Sequence, residues 1–587
     1  MCGIFGYIGH KTNAAEMTLD GLRLLEYRGY DSWGVAIKHG KKLEVEKHVG
    51  KIGQAQTKLP ESSLAIGHTR WATHGGVTQE NAHPHLDCTK EVAVIHNGII
   101  ENFSEIKEEL VAKGHIFLSQ TDTEVVSHLI EEYLKTKGFS SAVRESFNRL
   151  RGMNAIVASY APSKELVAAK TGSPLVVGIG EGEFFIASDA AGIVKHTKKV
   201  IFLTDNQMVI LGEKLKLIEL PGGKEITPEI TTLDWDFEDS VKGDYPHFIV
   251  KEIYEQPRVI ENIALNYDQP TEKLANLIEH AFGTFMLGCG TASYVALGGT
   301  YLFSNIAKKH VNFSIGSEFN YLEDYIAKGS LVIPISQSGE TIDVVEPVTN
   351  AKKKGATIAA LVNTLGSSLY RQADFNVLLG AGQEKAVVAT KSFAAMISIL
   401  LLTAYTLSGK QKEGKEILLQ ASKNIKEILQ DDFIVQIKEL AVKLKNNEHA
   451  FVIGRGLSYA TTLEATIKLK ETSYIHAEGF AGGELKHGPI ALIEKGTPCF
   501  IIAPKDETYD SIISNAQELK ARGGYIIGVG PLANDVFDTF LKTADVKEGT
   551  ILPQVVIFQL LAYYLALERG VEDPDKPRNL AKSVTVK

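Results

Sequence analysis

Two glycine-bracketed turns, Gly288-Cys289-Gly290 and Gly454-Arg455-Gly456, follow comparable apolar runs 166 residues apart. The segments ending SGET at Thr341 and KDET at Thr508 lie 167 apart. Two near-equal offsets in one register are the mark of a duplicated unit. Within each copy, apolar runs end in glycine or serine and lead into helical patterns, as in FMLGCGTASYVALGGTYLF, LVIPISQSGETIDVVEPVTNAKKKGA and HAFVIGRGLSYATTLEATIKLKE. That is the texture of parallel βαβ units. The expectation is two doubly wound parallel α/β domains, over 245–430 and 431–570, with a tail at 571–587.

A chain of 587 residues is too long for one core, so further domains are expected. Residues 1–220 read differently, as short strands and loops with two helices between them: SSLAIGHTRWATHGG, EVAVIHNGII and NAIVASYAPSKELVAAKTGSPLVVGIGEGEFFIASDA. Stacked antiparallel sheets with helices outside them would fit. From Leu220 the composition shifts to Pro, Gly and acids, and 221–244 reads as a linker.

Bulk properties exclude several classes. A net charge of −9 gives no reason to expect a nucleic-acid partner. Cys2, Cys88, Cys289 and Cys499 are scattered, without a CxxC pair or His-flanked spacing, which argues against a disulfide framework and against a zinc site. The apolar stretch around Ile399 falls short of the ~20 residues of a membrane helix and reads as a buried core helix. The first residues lack a basic segment followed by an apolar run, so no signal peptide is expected and a reduced, cytoplasmic setting follows.

Four stretches carry candidate chemistry. In SQSGET, Ser336, Ser338 and Thr341 stand with Gln337 and Gly339 where a strand gives way to a helix. One hydroxyl would suffice for an ordinary helix cap; three beside helix N–H groups suit a phosphate. The second copy, PKDET, carries acids instead, so only the first half is expected to hold a sugar phosphate. Lys468 and Glu471 lie three apart on one helical face, with His487 in a glycine-bracketed loop beyond. They form either a solvated pair and a surface histidine, or a set for moving protons on a sugar. Lys582, in the tail DKPRNLAKSVTVK, belongs to a frayed end or supplies a Schiff-base amine. Near the start, Asn97-Gly98 is a hairpin turn or an oxyanion-binding pair. Arg70 suits a carboxylate and Asp122 an ammonium group, which with the thiol of Cys2 would make an amide-cleaving site for an amino acid.

MCGIFGYIG, LEYRGYDS, GHTRWATHG, NAHPH, HNGIIEN, SQSGET, KEIYEQP, SYIHAE, GELKHGP and PRNLAKSVTV occur in this order over essentially the whole chain. With them the sequence resembles the glutamine–fructose-6-phosphate aminotransferase (isomerising) family. The resemblance implies an N-terminal-nucleophile glutaminase sandwich, of the class II amidotransferase type, followed by two SIS-type domains. In the first, Cys2, freed of Met1, would attack glutamine with its own α-amine as base, while Asn97 and Gly98 hold the oxyanion. Arg70, Thr73, His74 and Asp122 would bind glutamine, Arg28 would belong to the surrounding shell, and Trp71 would gate an ammonia passage. In the second part, Ser336, Gln337, Ser338, Thr341, Val387 and Lys468 would bind the phosphosugar. Glu471 would carry the proton, His487 assist ring opening and Lys582 form the imine. The family pattern also implies a homodimer through the SIS domains, with His487 supplied by the neighbouring subunit, and neither metal nor organic cofactor.

The pattern is departed from at Ala292, where the family commonly has serine, at Val388 and Ala389, and at Trp33 in place of a small residue. The first two motivate a second reading, an amidotransferase acting on a different ketose phosphate. A third, a sugar-phosphate sensor, has no use for Cys2, Glu471, His487 and Lys582 together.

Overall fold

A computed structural model describes residues 2–72, 74–233 and 241–584. The chain divides into two compact units, Met1–Val241 with Ala581–Lys587, and Lys242–Leu580.

The first unit is built on two antiparallel sheets of eight and seven strands. In the first sheet the strand Gly3–Ile8 is fully buried and pairs on one side with Leu64–Arg70, on the other with Phe184–Ala187. In the second, Val92–Gly98 pairs with Asn154–Tyr160. Alternation along the strands sorts side chains between two faces. Ile4 and Ile66 of one sheet meet Ile95 and Val157 of the other in a common core. The opposite face of the first sheet packs Phe5 and Val35 against Leu19 and Leu22 of the helix Ala14–Leu24. The opposite face of the second packs Val94 and Ile156 against the helices Phe103–Ala112, Glu124–Leu134 and Phe139–Asn148. The layers run helix, sheet, sheet, helix.

Two details differ from expectation. Four α-helices, not two, accompany these sheets among the described residues. All four are only 10–11 residues long, and the last two are separated by a short break at Gly138, so their periodicity merges along the sequence. The sheets also continue beyond residue 220, because Lys224–Ile226 and Thr231–Thr232 are edge strands. Such short edges carry no apolar alternation, and their turn-rich composition reads as linker.

The second unit contains two five-stranded parallel sheets with the same topology. The first runs Asn312–Ile315, Gly283–Gly288, Ser330–Ser336, Thr357–Val362, Phe375–Leu378. The second runs His476–Ala481, His449–Gly454, Pro498–Ile502, Tyr525–Gly530, Thr539–Lys542. The repeat extends to the backbone. Gly290 (φ 54°, ψ −129°) and Gly456 (φ 56°, ψ −134°) take the same left-handed conformation before their helices. The helix Lys391–Leu407 is buried along most of its length. Among the described residues one helix, Lys547–Glu568, is long and apolar enough to cross a membrane, and 89% of that window is buried in the core.

Glycine is required where a strand meets its following helix at close range. A Cβ on Gly454 would stand 2.4 Å from the Ser458 carbonyl oxygen, and one on Gly288 would stand 2.5 Å from the Ala292 carbonyl carbon. Gly454→Ala is expected to destabilise the second unit by about 1–3 kcal/mol, read as a lower urea midpoint with an unchanged slope.

Candidate active sites

In the first unit, one pocket is lined by Cys2, Arg70, Trp71, His74, Asn97, Gly98 and Asp122, together with His68, His83, His96, Thr121, Thr123 and Ser173. Cys2 enters it because the strand that follows is held from both sides. Gly3 N donates to Thr69 Oγ1 (3.0 Å) and Ile4 N to Ser188 Oγ (3.0 Å). The thiol lies against the Trp71 backbone, whose N–H donates to Sγ at 3.2 Å. Asn97 Nδ2 donates to the Cys2 carbonyl (2.9 Å).

Asn97 and Gly98 do not form a hairpin turn. They end the strand Val92–Gly98, paired opposite Ala155 and Asn154. Gly98 has φ +130°, and a Cβ there would stand 2.1 Å from the Met153 carbonyl oxygen. The Asn97 side chain is oriented from behind: His68 Nε2 lies 3.0 Å from both Asn97 Oδ1 and the His96 carbonyl. Both partners are acceptors, so Nε2 carries the proton. Burial pushes His68 down to about 3, so it stays neutral. His68 stacks on His83 at 4.1 Å. His83, His85 and His96 are likewise lowered, first by burial. The wall behind the pocket is thus a set of uncharged imidazoles, tied forward through His96 Nδ1 to Thr123 Oγ1 (2.9 Å) and through His85 Nε2 to Thr121 Oγ1 (3.0 Å).

Arg70 is buried, and its guanidinium donates to the carbonyls of His74, Gly75 and Gly76. Asp122 accepts from Ile100 N at 2.8 Å. Arg28 pairs with Asp189 at 3.0 Å behind the pocket. Trp33 is buried in the core and stacked on His48. Thr73 lies outside the described residues.

In the second unit, SQSGET spans the end of strand Ser330–Ser336 and the start of helix Ile342–Lys353. Thr341 is the N-cap residue, yet its side chain makes no cap hydrogen bond; its Oγ1 lies 3.3 Å from Ser336 Oγ. Ser336 Oγ accepts from Gly339 N at 3.0 Å, and Glu340, bonded to Ser368, turns away from the loop. Gly339 has φ +66°, and a Cβ would meet Ser367 Oγ at 2.0 Å. The result is a small ring of hydroxyls before a helix start, a suitable seat for an anion. In the second copy Thr508 occupies the same N-cap position, but its hydroxyl bonds Asp506.

The pair Lys468–Glu471 is no solvated surface bridge. Lys468 is 1% exposed, with Nζ at 3.0 Å from Thr291 Oγ1, 3.3 Å from Glu464 Oε1 and 3.2 Å from Glu471 Oε2. Burial opposes its charge, but the two carboxylates outweigh burial and raise its pKa. Glu464, wholly buried, is pushed up to about 7, chiefly by burial. Thr291 follows the Gly288-Cys289-Gly290 turn of the first copy, so this cluster ties the two copies together. Val387 N donates to the Asp575 carbonyl, and Asp575 Oδ1 and Oδ2 accept from Ile249 N and Phe248 N. Further along, Arg578 N donates to Tyr474 Oη and its guanidinium covers that ring at 4.3 Å, three residues beyond Glu471. His487 is exposed at the end of the 3₁₀ segment Gly482–His487. Lys582 groups with the first unit, whereas Glu471, Lys468 and the SQSGET loop lie in the second.

Comparison with known proteins agrees with this division. Residues 68–195 match the glutamine amidotransferase domain family, and residues 278–405 and 443–567 match the SIS domain. A glutamine–fructose-6-phosphate aminotransferase (isomerising) from Thermococcus kodakarensis is 44% identical, with all of both chains covered. The Pyrococcus horikoshii protein of that name is 42% identical, again over all of both chains. The solved C-terminal domain of a glucosamine–fructose-6-phosphate aminotransferase from Francisella tularensis covers 56% of this chain and 98% of its own, at 31% identity and a TM-score of 0.51. This chain belongs to the glutamine–fructose-6-phosphate aminotransferase (isomerising) family. Its fold is that family's combination of antiparallel amidotransferase sheets and paired parallel SIS domains.

The structure therefore gathers Cys2, Arg70, Trp71, His74, Asn97, Gly98 and Asp122 in one pocket, and Lys468 with Glu471 in one cluster. Two further residues escaped the sequence reading. His68 stands inside GHTRWATHG without a distinguishing spacing. Glu464 was signalled by the stripe Glu464-Lys468-Glu471, spaced i, i+4 and i+7 along one helix face.

Because the folded pKa of Glu464 lies above its unfolded value near 4.5, its contribution to stability is complete below pH 4.5 and is lost as pH rises through about 7. Glu464→Gln should flatten the decline in melting temperature over that window, removing on the order of 3 kcal/mol of pH dependence, measured by scanning calorimetry from pH 4.5 to 8.

Proposed function

We propose that this chain hydrolyses glutamine in its first unit and uses the ammonia in its second to convert fructose 6-phosphate to glucosamine 6-phosphate. The observation that carries the reading is the convergence on the Cys2 thiol of an amide pair, Asn97 and Gly98, with a cation and an anion, Arg70 and Asp122, in one pocket. Those charges match the α-carboxylate and α-ammonium of an amino acid whose side-chain amide meets the thiol.

With Met1 removed, the α-amine of Cys2 takes the thiol proton. The thiolate adds to the amide carbon of glutamine, and the oxyanion is met by Asn97 Nδ2 and Gly98 N–H. Ammonia leaves, and water cleaves the thioester to glutamate and thiol. His74 and Thr73 line the substrate, and Trp71, whose backbone borders Sγ, gates the ammonia. A free thiol of this kind suits a reducing compartment, and we place the reaction in the cytoplasm.

In the second unit Ser336, Gln337, Ser338 and Thr341 hold the phosphate, and Val387 borders the sugar. Lys582 condenses with the C2 ketone, expelling water; ammonia then displaces the lysine, and the C2 imine isomerises as a proton moves from C1 to C2. Glu471 carries that proton, and Lys468 fixes its carboxylate from the buried side. The tether of Arg578 to Tyr474 brings the chain preceding Lys582 to the helix end that bears Glu471, which supports this role. An exposed His487, on a different element from Lys468 and Glu471, suits delivery to the site of a second copy, hence a homodimer.

Fructose 6-phosphate, amide-¹⁵N glutamine and excess unlabelled ammonium should yield mostly labelled glucosamine 6-phosphate by mass spectrometry. Label released as ammonium without amino sugar would sink the sugar assignment and favour another ketose phosphate. His68→Ala, which frees the Asn97 amide to rotate, should lower glutaminase kcat by about 10-fold or more with a smaller change in KM, measured as glutamate release.

A further inference from the structure

The first unit contains a second cluster of reactive side chains, outside the pocket. Cys88 lies in the loop after the strand His85–Leu86, His115 follows the helix Phe103–Ala112, and His128 and Glu131 stand one turn apart on the helix Glu124–Leu134. One ligand atom from each of the four lies within 4.8 Å of all the others. His115 and His128 are buried, Glu131 half-buried, and Cys88 sits at the surface.

Five of the six separations are close to those of a tetrahedron. The two Nδ1 atoms are 3.3 Å apart. Cys88 Sγ is 3.7 Å from His115 Nδ1 and 3.6 Å from His128 Nδ1. Glu131 Oε2 is 3.0 Å from the first and 3.3 Å from the second. A tetrahedral zinc ion, with Zn–N and Zn–O near 2.0–2.1 Å and Zn–S near 2.3 Å, would space its N and O ligands about 3.3 Å apart and its N and S ligands about 3.6 Å.

The protonation pattern points the same way. His115 Nε2 lies 2.9 Å from Glu132 Oε1, an acceptor, so that nitrogen carries the proton and the lone pair of Nδ1 faces inward. His128 Nε2 makes no hydrogen bond, its nearest carboxylate oxygen being Glu124 Oε1 at 3.6 Å, while its Nδ1 faces the same point as that of His115. Two imidazole Nδ1 atoms, a carboxylate oxygen and a sulfur thus converge on one point, the donor set of a bound zinc ion. Around it stand supports of the kind a metal centre uses: a carboxylate bonded behind His115, and backbone N–H groups of Cys88 to Glu131 Oε2 (3.2 Å) and of Ile116 to Cys88 Sγ (3.4 Å).

We propose that Cys88, His115, His128 and Glu131 form a structural zinc site. Four protein ligands close the coordination sphere, so the ion has no open position for chemistry, and a thiolate with two imidazoles selects zinc over magnesium or calcium. It clamps both ends of the segment 115–128, which carries Thr121, Asp122 and Thr123 into the pocket wall. The absence of a CxxC or His-flanked pair, which argued against zinc in the sequence, reflects only that the ligands come from three separate elements.

The test uses the full chain, stripped with chelator under reducing conditions and returned to a slight excess of zinc chloride. After dialysis, elemental analysis should find about one zinc per chain, and the melting temperature of the first unit should rise. Cobalt(II) in place of zinc should give the visible bands of a tetrahedral centre and a thiolate charge-transfer band. Cys88→Ser, at the surface and tolerable to the fold, should abolish that charge-transfer band and weaken zinc binding by at least about 10-fold in competition with a chromophoric chelator. Well under one zinc per wild-type chain would overturn the proposal, and so would the same affinity in Cys88→Ser. Either result would leave the cluster a protonated histidine–carboxylate network.

Discussion

The first unit depends on the strand Gly3–Ile8 being held on both edges inside an eight-stranded sheet. Chain ends are ordinarily the least ordered part of a domain. Here the hydrogen bonds to Leu64–Arg70 and Phe184–Ala187, and the burial of Phe5 and Tyr7, make the second residue as fixed as any core position. The neighbouring strand delivers the Trp71 N–H to the Cys2 sulfur, and the second sheet delivers Asn97 to its carbonyl. A thiol at residue 2 is positioned in this way because the strand after it is paired on either side.

The second unit solves a different problem with one fold used twice. Both copies keep the glycine contacts and the strand order, which packing demands. They diverge at the turn after the third strand in space. The first copy retains three hydroxyls there, while the second spends its threonine on Asp506 and contributes instead the helix that carries Glu464, Lys468 and Glu471. The buried ammonium reaching Thr291 is costly to desolvate and strongly destabilising to leave unpaired. It therefore fixes the register between the copies as well as their attraction.

Much of this was legible in the sequence because its causes are local. The 166-residue offset follows from glycines that each touch a carbonyl group of the same strand–helix corner, and SQSGET sits where a strand end and a helix start leave room for nothing larger. The gathering of Cys2, Arg70, Asn97 and Asp122 came through family resemblance, since no spacing links residues 2, 70, 97 and 122. Other features have no local signature at all. His68 matters through a hydrogen bond across two sheets, the edge strands after residue 220 are too short to show a period, and the cluster around Cys88 is drawn from three elements. The two short helices Glu124–Leu134 and Phe139–Asn148, almost adjacent, blurred one another's periodicity.

The guanidinium of Arg70 has consequences beyond its place in the pocket. Three of its five N–H donors are engaged by the carbonyls of residues 74–76, so on the proposed reading the loop takes part of the place a carboxylate would fill. On that reading an incoming amino acid competes with the loop for the guanidinium, and the free energy of displacing it is subtracted from whatever the new contacts supply. Occupancy and loop position are then two readings of one equilibrium. On the same reading a small molecule that lacks the carboxylate would leave the loop where it is, however well the rest of it fits, and the residues proposed to recognise the substrate would report its arrival.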